Sequence, residues 1–383
     1  MRARSYIADR IPRMKAASTM RRLWVGYLGG NHTWNALDTT NPEKSVYGAG
    51  IVSVRDGLLA WRGSRLPHSV HCNVSAVGRL LNRGYDVSNI AQFAELQVGD
   101  LLVWVGVAGF NGVPWLELRK RNITTVYYNT EPLDDCFGAR ARHVSVTRGT
   151  FTSDGQQCIV PSIGHVVHPA WVDEVWDYSA HNVALGKRLS DAGPRLRLVP
   201  PGAVAAANHV AHSRDNVATL TFLGSVGANS VGGAHRNACW KRLLAQLGPR
   251  LKHVGSGIAT EADFASLAAE SDQIFLNLHR RCDDRTSSVP LERFRLQRYL
   301  SAGQLVVSEH AHPDDEAQLR GIVTFTNFSD IAHAFEKLAN RSKAERIELS
   351  SHRRRAFVTR CAPGEILERA GGFDMLDNML LKG

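Results

Sequence analysis

The sequence predicts an α/β protein made of two Rossmann-like, doubly wound units facing a cleft. Three observations carry that expectation. Apolar runs of strand length alternate with helical patterns along nearly the whole chain, as parallel strands covered by helices on both faces require. The alternation pauses after Pro200-Pro201-Gly202 in the small, polar stretch AVAAANHVAHSRDN and then restarts, which marks a linker. A length of 383 residues also exceeds one ordinary core and suits two domains.

The elements follow in order. RLWVGYLGG (22–30) reads as a first strand ending in a glycine turn, and VSAVGRLLNRGYDV as a helix leading toward a strand. DLLVWVGV is a buried strand, WLELRKRN a short helix and ITTVYYNTEP a further strand. VDEVWDYS and LRLVPPG bracket the helix HNVALGKRLSDAG. Beyond the linker come strand ATLTFLGS, a helix from about Arg236 to Leu247, strand LKHVGSG and helix TEADFASLAAES, with Thr260 placed to cap it. Strand QIFLNLH, the Arg-rich helix of VPLERFRLQRYLSAG, strands QLVVSE and GIVTFTN, and helix SDIAHAFEKLANRS complete the second unit. The division is therefore a basic tail (1–22), an N-terminal unit (23–203), a linker (204–216), a C-terminal unit (217–345) and closing helices (346–383), with a return to the N-terminal unit as one option for the last.

Composition narrows the function class. Apolar residues make up 44% and charged residues 21%, the balance of a globular protein, and no apolar run reaches the length of a membrane span. Six cysteines lie far apart with no C-x-x-C pair, so reduced thiols in a cytosol-like compartment are expected. The first 22 residues carry seven Lys or Arg against one Asp, and read as a flexible basic tail or a transit segment. A net charge of +10 invites a nucleic-acid partner, but equally suits an enzyme of phosphorylated substrates or one working beside an anionic membrane. No nucleic-acid motif accompanies the charge, which disfavours the first class. Cytoplasmic residence, including at a membrane periphery, is the expectation.

Ligands of doubly wound sheets bind beyond the carboxyl ends of the strands, so the residues at strand exits are the candidates. In the N-terminal unit these are Gly30, Asn31 and His32 after the first strand, then Asn129 and Glu131 in YYNTEP. A His or Glu facing the cleft has the chemistry of a general base for a hydroxyl. In the C-terminal unit, Gly224 and Ser225 of FLGS permit close backbone approach to a phosphate, and Arg236 opens the next helix. The loop GSVGANSVGGAHR ends in no G-K-[ST], so it is not a P-loop. Asn277 and His279 share one side of an extended strand. On the Arg-rich helix, Glu292, Arg295 and Arg298 share a face, as either a solvated ion-paired surface or a diphosphate cradle. Glu309 ends its strand as the ribose-binding acid of dinucleotide folds does, or else caps the turn before His310. His279, His310 and His312 lack the spacings of a compact zinc site, and no metal is expected.

The ordered series YYNTEPLDD, VDEVWDYSAHN, LRLVPPG, TFLGS, IFLNLH and ERFRLQRYLSAGQLVVSE, over roughly residues 125–330, resembles glycosyltransferases of the glycosyltransferase-B architecture, in the broad glycosyltransferase-1/4-like superfamily. The resemblance implies a hexosyltransferase-type enzyme that takes a UDP- or GDP-sugar as co-substrate, uses no metal or other cofactor, and glycosylates a glycan, lipid-linked or small-molecule hydroxyl. It places Gly224, Ser225, Arg236 and Arg295 at the diphosphate, Asn277, His279 and Arg298 at the donor pocket, and Glu309 at the ribose. Glu292 would sit by the sugar or brace Arg295, with both counted as catalytic candidates beside Glu131, and Asn129 and Glu131 would lie on the acceptor side; Gly30 and Asn31, also assigned to the acceptor side, and the candidate base His32 match by strand pattern only. One departure stands out. The second Glu of the paired-glutamate motif of retaining members is replaced here by Arg298, five residues before Gly303. A binding module that keeps the fold without turnover is the alternative.

Overall fold

The computed structural model describes residues 23–27, 56–58, 60, 93, 96–106, 113–130, 151–153, 156–158, 172–189, 195–204, 218–224, 226, 233–255, 264, 266–268, 272–279, 282 and 289–381. These form the expected α/β architecture, with two five-stranded sheets, both wholly parallel.

The first sheet contains β1 (Leu23–Tyr27), β2 (Leu101–Val105), β3 (Thr124–Asn129), β6 (Glu174–Asp177) and β7 (Arg195–Leu198), side by side in that order. A short antiparallel pair, β4 (Phe151–Ser153) and β5 (Gln156–Cys158), stands apart from it and was not foreseen. Helix α1 (Trp115–Lys120) joins β2 to β3, and α2 (Ala180–Leu189) joins β6 to β7. Every residue of β2 is buried, as the run LLVWV requires of a strand covered on both faces, whereas β7 at the edge is partly exposed.

The second sheet holds β8 (Thr219–Leu223), β9 (Leu251–Val254), β10 (Gln273–Asn277), β11 (Leu305–Glu309) and β12 (Thr324–Thr326) in the spatial order β9-β8-β10-β11-β12. In chain order this is 2-1-3-4-5, so the winding reverses between β8 and β10, the topological switch point where such sheets open a crevice. Central strands β10 and β11 are buried throughout. Helix α3 (Gly233–Leu247) follows β8 and α4 (Arg293–Ser301) precedes β11. The turn out of α4 uses Gly303 at φ 74°, with Gly303 N–H bonding Leu300 and Gln304 N–H bonding Tyr299, the αL stop that glycine favours.

The chain then builds α5 (Pro313–Ala317), α6 (Ile331–Ala339), α7 (Lys343–Arg360), α8 (Pro363–Arg369) and α9 (Gly372–Leu381). Ser342 and Glu345 form a reciprocal capping box that starts α7. Helix α7 lies along α4, where Ser350 Oγ donates to the Gly303 carbonyl and Arg354 Nε to that of Ser301 (2.9 Å). The turns on either side of α8 contact the first sheet's side: Arg197 Nη1 donates to the Ala370 carbonyl (2.9 Å), and Ala203 N–H to that of Cys361 (2.7 Å).

One apolar cluster runs from the first sheet, through α4, into the face of the second sheet that α4 covers. It includes Trp104, Tyr128 and Trp176 on one side and Phe275, Leu296 and Val306 on the other. Phe294 sits at the join, its ring 5.8 Å from that of Tyr128 and 5.6 Å from that of Tyr178. A second cluster, with Phe222, Trp240, Leu276 and Phe335, fills the opposite face of the second sheet.

Two expectations need comment. The reduced state expected of all cysteines does not hold for Cys239 and Cys282, which form a disulfide. Sequence spacing gave no hint because 43 residues separate them and parallel topology, not proximity in the chain, brings them together. The helix VSAVGRLLNRGYDV, the cap at Thr260 and nearly all of the linker lie outside the described residues. No helix among the described residues is long and apolar enough to cross a membrane.

Candidate functional site

The crevice at the switch point is bounded by the exits of β8, β10 and β11 and by the N-terminal turn of α4. A chain of polar contacts runs around it. Arg295 Nη1 donates to Asn277 Oδ1 (2.9 Å), and its Nη2 lies 3.2 Å from Glu292 Oε2. The other Glu292 oxygen is 3.7 Å from Arg236 Nη2. Arg236 Nε donates to the His279 carbonyl (3.2 Å), and the His279 N–H donates to Glu309 Oε2 (2.8 Å). Asn277 Nδ2 donates to Ser308 Oγ (3.0 Å), which closes the ring by donating to the Glu309 carbonyl (2.8 Å).

Local folding explains each position. Glu292 is the N-cap residue of α4, in a non-helical conformation, so its carboxylate swings to the helix mouth instead of joining the helix surface. There it bridges two guanidinium groups. Phe222, wholly buried on β8, supports both: its ring centroid is 5.5 Å from Arg236 Cζ and 5.3 Å from Arg295 Cζ. Gly224 then turns the chain at φ +149°, a region L side chains avoid. A Cβ there would lie 3.0 Å from Phe222 Cζ and 3.6 Å from Arg295 Nη2, so glycine is what lets the strand exit and the cation meet.

His279 is fully buried among these charges. Burial drives its pKa down to about 4, with Arg295 and Arg236 adding to the push while Glu292 and the His310 backbone oppose it. The imidazole is thus neutral at physiological pH.

A second polar cluster lies where the halves touch. Asp177, at the end of β6, accepts from Asn129 Nδ2 (2.7 Å), Ser179 N–H (2.9 Å) and Asn182 Nδ2 (3.0 Å). Asp315 of α5 reaches across to accept from Ser179 Oγ (2.6 Å) and Ala180 N–H (2.6 Å), and takes Leu291 N–H (3.3 Å) from its own half. It therefore caps a helix of the other half, favourably placed for the N-terminal dipole of α2. Burial lifts both carboxyls above their ordinary range, Asp177 to about 8.

Of the sequence candidates, the structure brings together Gly224, Arg236, Asn277, His279, Glu292, Arg295 and Glu309. Arg298 stands apart, its guanidinium 4.5 Å from the Phe264 ring centroid in an apolar layer with Phe275 and Tyr299. It sits three residues further from the helix mouth, about 4.5 Å along the axis. Asn129 serves the interdomain cluster. Gly30, Asn31, His32, Glu131 and Ser225 lie outside the described residues. Of the remaining histidines, His310 pairs with Glu316 (2.9 Å) and His312 packs its ring 5.1 Å from that of His181. Sequence reasoning missed Phe222 as a support, and Asp177 and Asp315 as a seam. The strand-exit rule applied to VDEVWDYS would have flagged Asp177; Asp315, on a short helix, carries no comparable signal.

No family model matches the chain, and no curated protein matches it in sequence. Among solved structures, a UDP-forming α,α-trehalose-phosphate synthase from Burkholderia xenovorans aligns at TM-score 0.49 and 12% identity, covering 94% of this chain and 100% of that one. An α,α-trehalose 6-phosphate synthase from Burkholderia multivorans aligns at TM-score 0.49 and 11% identity, over 95% and 99%. A pneumococcal O-GlcNAc transferase, solved with UDP and GlcNAc, aligns at TM-score 0.44 and 12% identity, over 77% of this chain and 60% of that one. Likenesses this distant assign no chemistry, which has to come from the side chains themselves.

Proposed function

We propose that the protein is a glycosyltransferase that moves a sugar from a nucleoside-diphosphate sugar to a hydroxyl of a glycan, lipid-linked or small-molecule acceptor. The observation that carries this reading is the pair Arg236 and Arg295, bridged by Glu292 over Phe222, at the switch point of the second sheet. When the bond between the anomeric carbon and the diphosphate oxygen breaks, its electron pair stays on that oxygen and the leaving group gains a negative charge. Two guanidinium groups already held in place stabilise that charge without reorganising, and preorganised charge is usually the largest catalytic contribution. Gly224 opens the strand exit for close phosphate approach, and neutral His279 offers a ring N–H to a phosphate or sugar oxygen. The position of Glu309 at the exit of β11 supports its reading as the ribose acid. The acceptor proton passes to a general base, for which His32 and Glu131 have the right chemistry.

Arg295→Ala tests the assignment. UDP and GDP raise the melting temperature of the wild type, because a ligand of the native state stabilises it. The variant, with an unchanged circular dichroism spectrum, loses transfer by about a hundredfold, the equivalent of about 3 kcal/mol. Wild-type transfer by the folded variant would sink the assignment, and a nucleotide-induced shift without transfer or donor hydrolysis in the wild type would reduce the protein to a binding module.

A further inference from the structure

The contact that joins Arg236 to His279 is repeated one turn further on by a different chemistry. Cys239 follows Arg236 by three residues and Cys282 follows His279 by three, and these two cysteines face each other with Cα atoms 6.5 Å apart. His235 stands one helical turn before Cys239 on α3, on the same face. A ring nitrogen of His235 and the two sulfurs all lie within 4.8 Å of one another. Both cysteines are buried, whereas His235 is exposed, so the cluster has a closed floor and an open rim.

We propose that, with the disulfide reduced, His235, Cys239 and Cys282 form a binding site for a zinc-like divalent ion. Two thiolates and an imidazole are the donors such an ion prefers, and the tertiary fold brings Cys282 to the face of α3 that carries the other two. Zinc–sulfur bonds of about 2.3 Å at a tetrahedral angle need sulfurs only about 3.8 Å apart, a small opening from the bonded pair. The imidazole is also held by the backbone. Its Nε2 lies 2.6 Å from the Cys282 carbonyl; donation there leaves the ring lone pair on Nδ1, and a backbone partner for the other ring nitrogen is the usual support of a metal-bound histidine. Three protein ligands leave the fourth tetrahedral position on the open side, for water.

The steps balance. A trialkylphosphine and one water reduce the disulfide, the phosphine taking the oxygen as its oxide and the two sulfurs taking the hydrogens. Zinc then displaces the two thiol protons, which pass to solvent. The test uses the full chain, reduced with phosphine, desalted without oxygen and titrated with zinc against a chromophoric chelator. The expected result is one equivalent bound by the reduced protein and none by the oxidised protein, with no variant needed. Cobalt in place of zinc gives a thiolate-to-metal band that Cys239→Ser diminishes, and His235→Ala weakens binding by about tenfold or more. Failure of the reduced protein to take up zinc overturns the proposal. So does equal uptake by the Cys239→Ser/Cys282→Ser variant, which would assign the metal to other thiols. Neither result bears on sugar transfer.

Discussion

Asp177 ties the contact between the two halves to pH in a way that can be measured. Burial lifts its carboxyl from 3.8 to about 8, against the lowering effect of its bonds from Asn129, Ser179 and Asn182, and Asp315 adds to the rise. The folded protein therefore keeps a proton that the unfolded chain gives up above about pH 4. Stability from this group is full below that point and is lost as the pH climbs toward 8. A displacement of about four pH units, at about 1.4 kcal/mol each, sets a ceiling of about 6 kcal/mol on the loss. Asp177→Asn removes the titration while keeping an acceptor for the Ser179 N–H; it forfeits the bond from Asn129, worth about 1 kcal/mol. Urea unfolding of both proteins between about pH 5 and pH 8 reads the difference. The wild type should lose about 1 kcal/mol per pH unit relative to the variant, which becomes the more stable of the two at the alkaline end. Two parallel profiles would refute the reasoning.

Other perturbations probe separate parts. Glu292→Gln removes the countercharge of Arg236 and Arg295, so calorimetry should find nucleoside diphosphate bound about fivefold more tightly, an effect of about 1 kcal/mol that salt erodes. Gly224→Ala imposes a side chain at φ +149° against Phe222, and a loss of about 1–3 kcal/mol is expected in denaturant unfolding, together with weakened nucleotide binding. Arg197→Met strands Glu174, which is 6% exposed and held by both Nε (2.5 Å) and Nη2 (2.8 Å). That change should cost about 3 kcal/mol, and adding Glu174→Leu should recover most of it.

The sequence read well wherever a single strand states its own case. Runs such as LLVWV and the IFL of QIFLN are apolar because their strands are covered on both faces, and the exits of β10 and β11 then name Asn277, His279 and Glu309. Legibility failed where partners are distant in the chain. The i,i+3 spacing links Glu292 to Arg295, but nothing local links it to Arg236, which reaches the same carboxylate only because β8 and β10 are neighbours. Arg298 misled for the opposite reason. Its helix is buried on nearly every side, so periodicity could not say which cation faces a ligand and which lies on Phe264. The Cys239–Cys282 pair and the capping of α2 by Asp315 depend on tertiary pairing of the same kind.

Phe294 and Arg295 are adjacent residues that answer to different halves: one is wedged between Tyr128 and Tyr178, the other is tethered to Asn277. Helix α4 thereby holds a grip on each half. A change of angle between the halves would drag the cation, and a ligand pulling the cation would exert a torque on the aromatic wedge. Trp176, whose ring meets Tyr128 edge-on at 6.4 Å, is placed as the optical gauge of that motion.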